Sequence, residues 1–203
     1  MGKQLIRSIL AGVSIAIGAM IFLALKQVSL PFSAIFFTVG LLIILWYGFD
    51  LYTGKIGYLA SFGQTKTMLW ILFGNLIGCC LMFAVSGMPA FGASITIGET
   101  AAAIMTTKCG LNLFEAFARA FVCGILIYVA VDQFKTKNNT FAPLIAVPAF
   151  ILAGAEHCIA DACYLFSALT TGWWMWNVIP FFVVIILGNA VGSIAFHQIK
   201  GRL

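Results

Sequence analysis

The stretch LAGAEHCIADACY, residues 152–164, carries a glutamate, a histidine and an aspartate within one of the most apolar regions of the chain. Glu156, His157 and Asp161 lie close together, and the residues around them are almost all apolar or small. A charged side chain at the centre of a bilayer costs about 3 kcal/mol on insertion scales, so such groups face an interior path or pair with one another. Whether that cost applies depends on whether the flanking residues lie in a membrane.

The composition predicts an integral membrane protein. Of the 203 residues, 63% are hydrophobic and only 8% are charged, and the mean hydropathy is +1.09. A soluble domain carries about a quarter charged residues, which its surface requires. The chain is therefore expected to form a single domain, a compact bundle of transmembrane helices.

Long uncharged runs locate the membrane spans. A helix needs roughly 20 mostly apolar residues to cross the hydrocarbon. The second and fifth runs exceed one crossing and hold polar residues midway, so broken helices are expected there. A cleaved signal peptide is the alternative for the first run, but no small-residue cleavage site stands out before Lys26, so the run is expected to be retained. The six predicted spans lie near 5–25, 31–62, 68–87, 113–134, 141–168 and 176–198.

The distribution of Lys and Arg predicts the orientation. With the N-terminus inside, the segments on the outer side contain only Lys26 and Lys108. This bias predicts a multi-pass protein of the cell membrane (plasma or inner) with both termini in the cytoplasm. The net charge of +5 is then mostly a topological signal, and nucleic-acid binding is not expected. The basic residues on the inner side are Lys3, Arg7, Lys66, Lys135, Lys137, Lys200 and Arg202.

Three motifs of the first half recur in the second half, in the same order and at offsets of 112, 106 and 114 residues. Since each half holds three spans, the second half enters the membrane inverted, as in many transporters and channels. The repeats are expected to cover about 1–90 and about 110–203. The pairs are RSILAG (7–12) with RAFVCG (119–124), GFDLYTG (48–54) with GAEHCIA (154–160), and FGNLIG (73–78) with LGNAVG (187–192).

The two glycine-led motifs mark the expected breaks near mid-membrane. Backbone that leaves the helix there must line a cavity or pack against protein. Asp50, Glu156 and Asp161 are interpreted as support for the backbone of these loops. His157 differs from them because imidazole titrates near neutral pH, so it is predicted to act as a proton relay.

GFDLYTG, KCGLNLFEA (108–116) and GAEHCIADA (154–162), with the FGN and LGN repeats, resemble the formate/nitrite transporter family. The resemblance covers nearly the whole chain. It implies an all-α, aquaporin-like fold in a homopentamer, with one pore per protomer. It also implies passage of small monovalent weak-acid anions such as formate, nitrite or hydrosulfide, and in some members acetate or lactate.

The resemblance also implies roles for individual residues. His157 and Thr53 match the central pore positions, and Lys108 matches a basic residue of the outer vestibule that attracts anions. Lys55 and Lys66 are the corresponding candidates on the inner side. The apolar constrictions match Phe37, Leu41 and Phe150.

The expected mechanism follows from the cost of an anion in hydrocarbon. The anion is predicted to gain a proton at or near His157 and to cross the constrictions as a neutral acid. The resting protonation of His157 stays open, because apolar walls favour neutral imidazole whereas an ionised Glu156 opposes it. Two residues depart from the family pattern, Asp161 and Gly124 each standing where asparagine is usual, and this puts the usual substrates in doubt.

Two other classes of protein compete with this interpretation. A neutral-solute channel for water, glycerol or urea shares the inverted architecture, but its paired NPA motifs are absent from the sequence. A membrane enzyme is not expected, because HExxH and GxSxG are also absent and His197 is the only second histidine. No cofactor, metal site or disulfide is predicted, and lipid and a small anion are the expected partners.

Overall fold

The computed structural model describes residues 2–59, 62–86 and 94–202. In this part of the chain the regular elements are helices. Short 3₁₀ turns at Ile56–Tyr58 and Phe62–Gln64 accompany them. The α-helices are α1 (Gly2–Leu25), α2 (Leu30–Tyr47), α3 (Tyr52–Lys55), α4 (Thr65–Ser86), α5 (Ser94–Cys109), α6 (Leu113–Lys137), α7 (Phe141–Leu152), α8 (Cys158–Leu169) and α9 (Val178–Lys200).

The predicted spans correspond to this arrangement. Helices α1, α2, α4, α6 and α9 are each long and apolar enough to cross a membrane alone. The fifth crossing is made of α7 and α8, with 12 residues each. The second span breaks after α2 and continues through the short α3. The prediction of six spans with a broken second and fifth is therefore confirmed.

Glycine sets the position of both breaks. Gly48, which ends α2, and Gly154, which follows α7, both have φ near +66°. This left-handed conformation is strained for residues with a side chain, and it commonly terminates a helix. The chain leaves each helix at the glycine that opens the repeated motif.

The two halves pack in the same way. Helix α1 packs against α2 and α4, α6 packs against α7 and α9, and α2 meets α7 between the halves. Glycines allow the close crossings, because a Cβ on Gly78 would lie 2.0 Å from the Ile9 carbonyl oxygen. A Cβ on Gly192 would lie 2.1 Å from the Phe121 carbonyl oxygen, which is the matching contact of the second half. Small residues at helix crossings are typical of membrane bundles.

Helix α5 is the element that the sequence analysis missed. The segment between the third and fourth spans was interpreted as a connection, with Lys108 in a loop. Lys108 instead lies in the last turn of α5, which packs mainly against α8. The segment carries Glu99, Lys108 and several threonines, so it lacks the hydropathy of a span, while its alanines favour a helix.

The outward faces of the bundle are apolar. Phe73, Val183 and Leu187 are each more than half exposed. Trp176 is 78% exposed, and tryptophan is enriched at membrane interfaces. A soluble protein would place charged side chains on such faces, so these surfaces fit a multi-pass protein in contact with lipid.

Candidate functional site

Asn75, on α4, holds the first break. Its side-chain amide donates to the carbonyls of Ser8 (2.8 Å) and Asp50 (2.9 Å). Its Oδ1 accepts the amide N–H of Tyr52 at 2.9 Å. The side chain is fully buried. These three bonds satisfy backbone groups that the broken helix leaves without partners.

Asn189, on α9, holds the second break with the same geometry. Its amide donates to the carbonyls of Ala120 and Glu156, both at 2.8 Å. Its Oδ1 accepts the amide N–H of Cys158 at 2.9 Å. Both asparagines stand in the FGN and LGN repeats, and their partners are offset as the three motif pairs are. The repeats therefore carried the signal for these residues, which the sequence analysis did not assign to the site.

At each of the two glycines, an arginine side chain donates a hydrogen bond to the glycine carbonyl. The Arg7 guanidinium donates to the Gly48 carbonyl, and Arg119 Nη1 donates to the Gly154 carbonyl at 3.3 Å. Arg119 also pairs with Glu115 at 2.6 Å, as the four-residue spacing predicts. Each half thus contributes one cation at the mouth of its own broken span.

The carboxylates predicted to support the loop backbone form ion pairs instead. Asp50 pairs with Lys55 at 2.6 Å and with Arg7 at 3.4 Å. Glu156 pairs with Lys108, and Asp161 Oδ1 lies 3.0 Å from the same Lys108 nitrogen. The loop backbone itself is bonded by the asparagines.

Thr53 and His157 meet at the centre of the bundle. Thr53 Oγ1 lies 2.8 Å from His157 Nε2, and both residues are buried. His157 precedes the first turn of α8, where its Nδ1 accepts the amide N–H of Ala160 at 3.0 Å. Because Nδ1 accepts this bond, it carries no proton, and Nε2 carries the ring proton and donates to Thr53. The structure therefore contains His157 as neutral imidazole in a defined tautomer.

Aromatic rings cover the central pair. Phe150 stacks on His157, with centroids 5.7 Å apart and ring planes at 20°. Phe37 meets Phe150 edge to face at 6.3 Å. Leu41, one helical turn after Phe37, is buried in the same core. The three predicted constriction residues therefore lie with the central pair in one buried region.

Lys108 is the predicted vestibule cation, and its charge is neutralised within the structure. Its side chain is 17% exposed, whereas those of Glu156 and Asp161 are 1% exposed. Two carboxylates therefore surround one ammonium group. Asp161 Oδ2 is buried and has no hydrogen-bond partner within the described part of the chain.

A cavity of about 430 Å³, here called the Lys108 chamber, leads to the central pair. It is lined by Lys26 and Arg119 as well as by Phe150, His157 and Asp161. Lys26 lies between α1 and α2, where burial, and then the charge of Lys108, lowers the pKa of its ammonium group. Cationic side chains and the central histidine therefore line the same cavity.

A second cavity of about 400 Å³, the Lys55 chamber, lies between the first break and the end of α6. Its lining includes Arg7, Lys55 and Lys135, and it reaches Leu51 and Gly54 close to Thr53 in the chain. The Lys108 chamber therefore adjoins the loop that carries His157, and the Lys55 chamber adjoins the loop that carries Thr53.

A polar cluster links three elements beyond the Lys55 chamber. Asp132 accepts hydrogen bonds from Tyr58 (3.2 Å) and Tyr128 (3.1 Å) and pairs with Lys200. Tyr128 Oη also lies 2.8 Å from His197 Nδ1. The cluster ties the 3₁₀ turn after α3 to α6 and α9.

Gly124 has a packing role rather than a place in the pore. A Cβ at this position would lie 2.3 Å from the Asn189 carbonyl oxygen. Gly12 makes the matching contact in the first half, 2.0 Å from the Asn75 carbonyl oxygen. An asparagine at position 124 would therefore force α6 and α9 apart in this structure.

The comparison with known proteins agrees with the architecture. A model of the formate/nitrite transporter family matches residues 1–199. The chain belongs to the formate/nitrite transporter family. It is therefore a membrane transport protein, as predicted, and its family is not one of enzymes.

Two similar proteins with curated descriptions are distant from this chain. The uncharacterized transporter YwcJ of Bacillus subtilis (strain 168) is 24% identical over 182 residues, which are 79% of this chain and 71% of the relative. A probable formate transporter of Methanothermobacter thermautotrophicus is 25% identical over 242 residues, covering 97% of this chain and 86% of the relative.

Solved structures share the fold. A pentameric formate channel with formate bound superposes with a TM-score of 0.86 at 22% identity, covering 98% of this chain and 95% of that chain. An FNT family ion channel has a TM-score of 0.82 at 19% identity, covering 98% and 88%. These matches confirm the predicted all-α channel fold.

Proposed function

We propose that this transporter passes small monovalent anions of weak acids, such as formate, nitrite or hydrosulfide, and that they cross as neutral acids with proton assistance at His157. The observation that carries the proposal is the Thr53–His157 pair, which offers hydrogen bonds inside an otherwise apolar centre. The formate channel and the probable formate transporter among the similar proteins support this substrate class.

Entry begins in the Lys108 chamber. Lys26 and Arg119 line it, and Lys26 raises the local concentration of anions, while the charge of Arg119 is offset by its pair with Glu115. Lys108 contributes less attraction than the sequence suggests, because two carboxylates surround it. The N-terminal end of α8 adds a positive dipole beside His157, and this also favours an anion.

Passage requires the loss of charge. Moving an ion from water into the apolar region around the ring of Phe150 costs a large free energy, whereas moving a small neutral acid there costs a modest one. Neutral His157 donates through Nε2 and Thr53 supplies a hydroxyl, so the acid keeps polar partners as it crosses. The Lys55 chamber on the far side then returns the acid to water, where it releases the proton.

The orientation and the assembly complete the proposal. Both termini are cytoplasmic and the Lys108 chamber opens outside, as the Lys and Arg distribution indicates. The protein is a homopentamer of the cell membrane, which the pentameric structural neighbour supports. Each protomer is a single domain of two repeats, about 1–90 and about 110–203, which the matched Asn75 and Asn189 contacts support.

The test is flux into liposomes that hold purified protein. Formate, nitrite, hydrosulfide and acetate are each offered at several external pH values. Formate or a similar anion is expected to enter faster as the pH falls. Absence of anion flux, together with passage of glycerol, would instead indicate a neutral-solute channel.

Two substitutions test the central pair. His157→Asn keeps an acceptor for the Ala160 N–H at the start of α8, since asparagine is a good N-cap, but it removes the imidazole. Thr53→Val removes the hydroxyl at constant shape. Each is expected to reduce flux by about tenfold or more, the value of a buried hydrogen bond. Thr38→Val is the matched control, because the buried Thr38 hydroxyl has no hydrogen-bond partner within the described residues.

A further inference from the structure

We infer that Asp161 holds the proton that the permeating anion receives: its carboxyl group is protonated in the resting protein and donates into the Lys108 chamber. The inference rests on the proposed function and names the proton-holding group of the same pore. It assigns to His157 the role of a neutral hydrogen-bond donor. Asp161 then determines how transport depends on pH.

The charge balance around Lys108 carries the first step. One ammonium group contacts two carboxyl groups, and both are almost completely buried. Two buried carboxyl groups that share one cation do not both ionise, because the second would be a buried negative charge without a cation to neutralise it. One proton therefore stays on the pair.

The contacts place this proton on Asp161. Glu156 Oε2 accepts a hydrogen bond from the Lys108 ammonium group. Asp161 approaches the same nitrogen only through Oδ1, at 3.0 Å, while Oδ2 is buried without a partner in the described part of the chain. An ionised oxygen would be costly there. Asp161 belongs to the lining of the Lys108 chamber, so a protonated Oδ2 is a donor just beneath the chamber surface, and an anion that enters supplies the missing acceptor.

The other groups around Asp161 do not change this balance. His157 is neutral because Nδ1 accepts the Ala160 amide. Lys26 adds a cation at the mouth of the chamber, beyond Lys108. Among the described residues, the other titratable groups that interact with Asp161, Cys158 or Cys163 are thiols and phenols, neutral near pH 7: Tyr52 from α3, Cys79 from α4, Cys109 from α5, Cys123 from α6, and Cys158, Cys163 and Tyr164 from α8.

The proton transfer is balanced with the external solution as the proton source. The O–H bond of Asp161 breaks and the proton bonds to the anion, which becomes the neutral acid. Asp161 is left as a carboxylate beside Lys108, and hydronium from outside protonates it again through the chamber. One proton and one anion therefore cross together in each cycle.

Infrared spectroscopy of the resting protein tests the inference without any transport. A protonated carboxylic acid has a carbonyl band that a carboxylate lacks. The wild type is expected to show this band near pH 7, and Asp161→Asn is expected to lose it. Glu156→Gln is also expected to lose it, since Asp161 then becomes the sole counter-ion of Lys108 and ionises.

Each alternative outcome overturns the inference in an identifiable way. A wild-type spectrum without the band shows that both carboxyl groups are ionised. Either substitution leaves one carboxyl group as the sole counter-ion of Lys108, so loss of the band in both variants shows only that the pair holds one proton. Isotopic labelling of the aspartate carboxyl carbons in the wild type is expected to shift the band, and a band that shifts only when glutamate is labelled assigns the proton to Glu156. Because the wild-type measurement stands alone, failure of a variant to fold does not prevent a decision, and Asn177→Ala serves as a folded control.

Flux measurements then separate this inference from the proposed function. Formate uptake and proton uptake are followed between about pH 5 and about pH 8, a range that covers the titration of an exposed histidine. Asp161→Asn is expected to flatten the pH dependence of the wild type, while His157→Asn keeps it at a lower rate. The opposite pattern would make His157 the proton donor, and no formate flux in the wild type would reject the proposed function alone.

Discussion

Asn75→Ala and Asn189→Ala should destabilise the protein strongly and equally. Each removes a buried amide that makes three hydrogen bonds of 2.8–2.9 Å. At about 0.6 kcal/mol per side-chain bond in a membrane protein, three bonds give about 2 kcal/mol. One N–H and two carbonyls are then left buried without these partners, which raises the loss to about 3–5 kcal/mol.

The free energy of unfolding in mixed micelles, obtained by titration with a denaturing detergent, measures this loss. Asn177→Ala is the matched control, because Asn177 is exposed and makes no capping bond at the start of α9. Its change is expected to stay within about 0.5 kcal/mol, as for most surface substitutions. The two buried substitutions should agree within about 1 kcal/mol, since their geometry is the same.

Two results would refute this reasoning. A loss of less than about 1 kcal/mol in either variant would show that water or another group satisfies the broken backbone. A large loss in only one variant would show that the two breaks are held by different forces despite their matching contacts.

Three further substitutions test separate features. Phe150→Ala should lower the free energy of unfolding by about 3–5 kcal/mol. It should also let chloride through, measured as a faster chloride leak into liposomes, and an unchanged leak would refute the role of Phe150 as a constriction. Asp132→Asn should cost about 1–3 kcal/mol by detergent titration, against under about 1 kcal/mol for Glu115→Gln in its exposed pair. Gly192→Ala should cost about 1–3 kcal/mol, while Gly201→Ala, which meets only its own helix, is expected to be tolerated; equal costs would contradict the crossing geometry.

The sequence was sufficient for the architecture because hydropathy and repetition are properties of the chain itself. Uncharged runs located the six spans, and repeated motifs located both breaks at Gly48 and Gly154. The family resemblance led to Thr53, His157, Phe37 and Phe150, and the structure brings these residues together. Their roles in transport stay predictions.

The remaining features of the fold and of the candidate site depend on tertiary contacts, which the sequence pattern does not reveal. Lys108 appeared as a free vestibule cation, because Glu156 and Asp161 lie about fifty positions away and meet it only when α5 packs against α8. Asn75 and Asn189 were visible as repeated letters, but their bonds depend on how α4 and α9 approach the broken spans. Helix α5 itself was missed because its polar residues lower its hydropathy.

The asparagine contacts also determine the order in which the protein can mature during synthesis. Asn75 lies 23 and 25 positions after the backbone groups that it bonds in the first break, and Asn189 lies 31 and 33 after those in the second. The backbone groups of each broken span therefore lack these hydrogen-bond partners until the third span of the same half has been synthesised. The backbone of the first break has its partners before the second half is synthesised, whereas the Thr53–His157 contact forms only when both halves are present, so the centre of the pore cannot assemble from the first half alone.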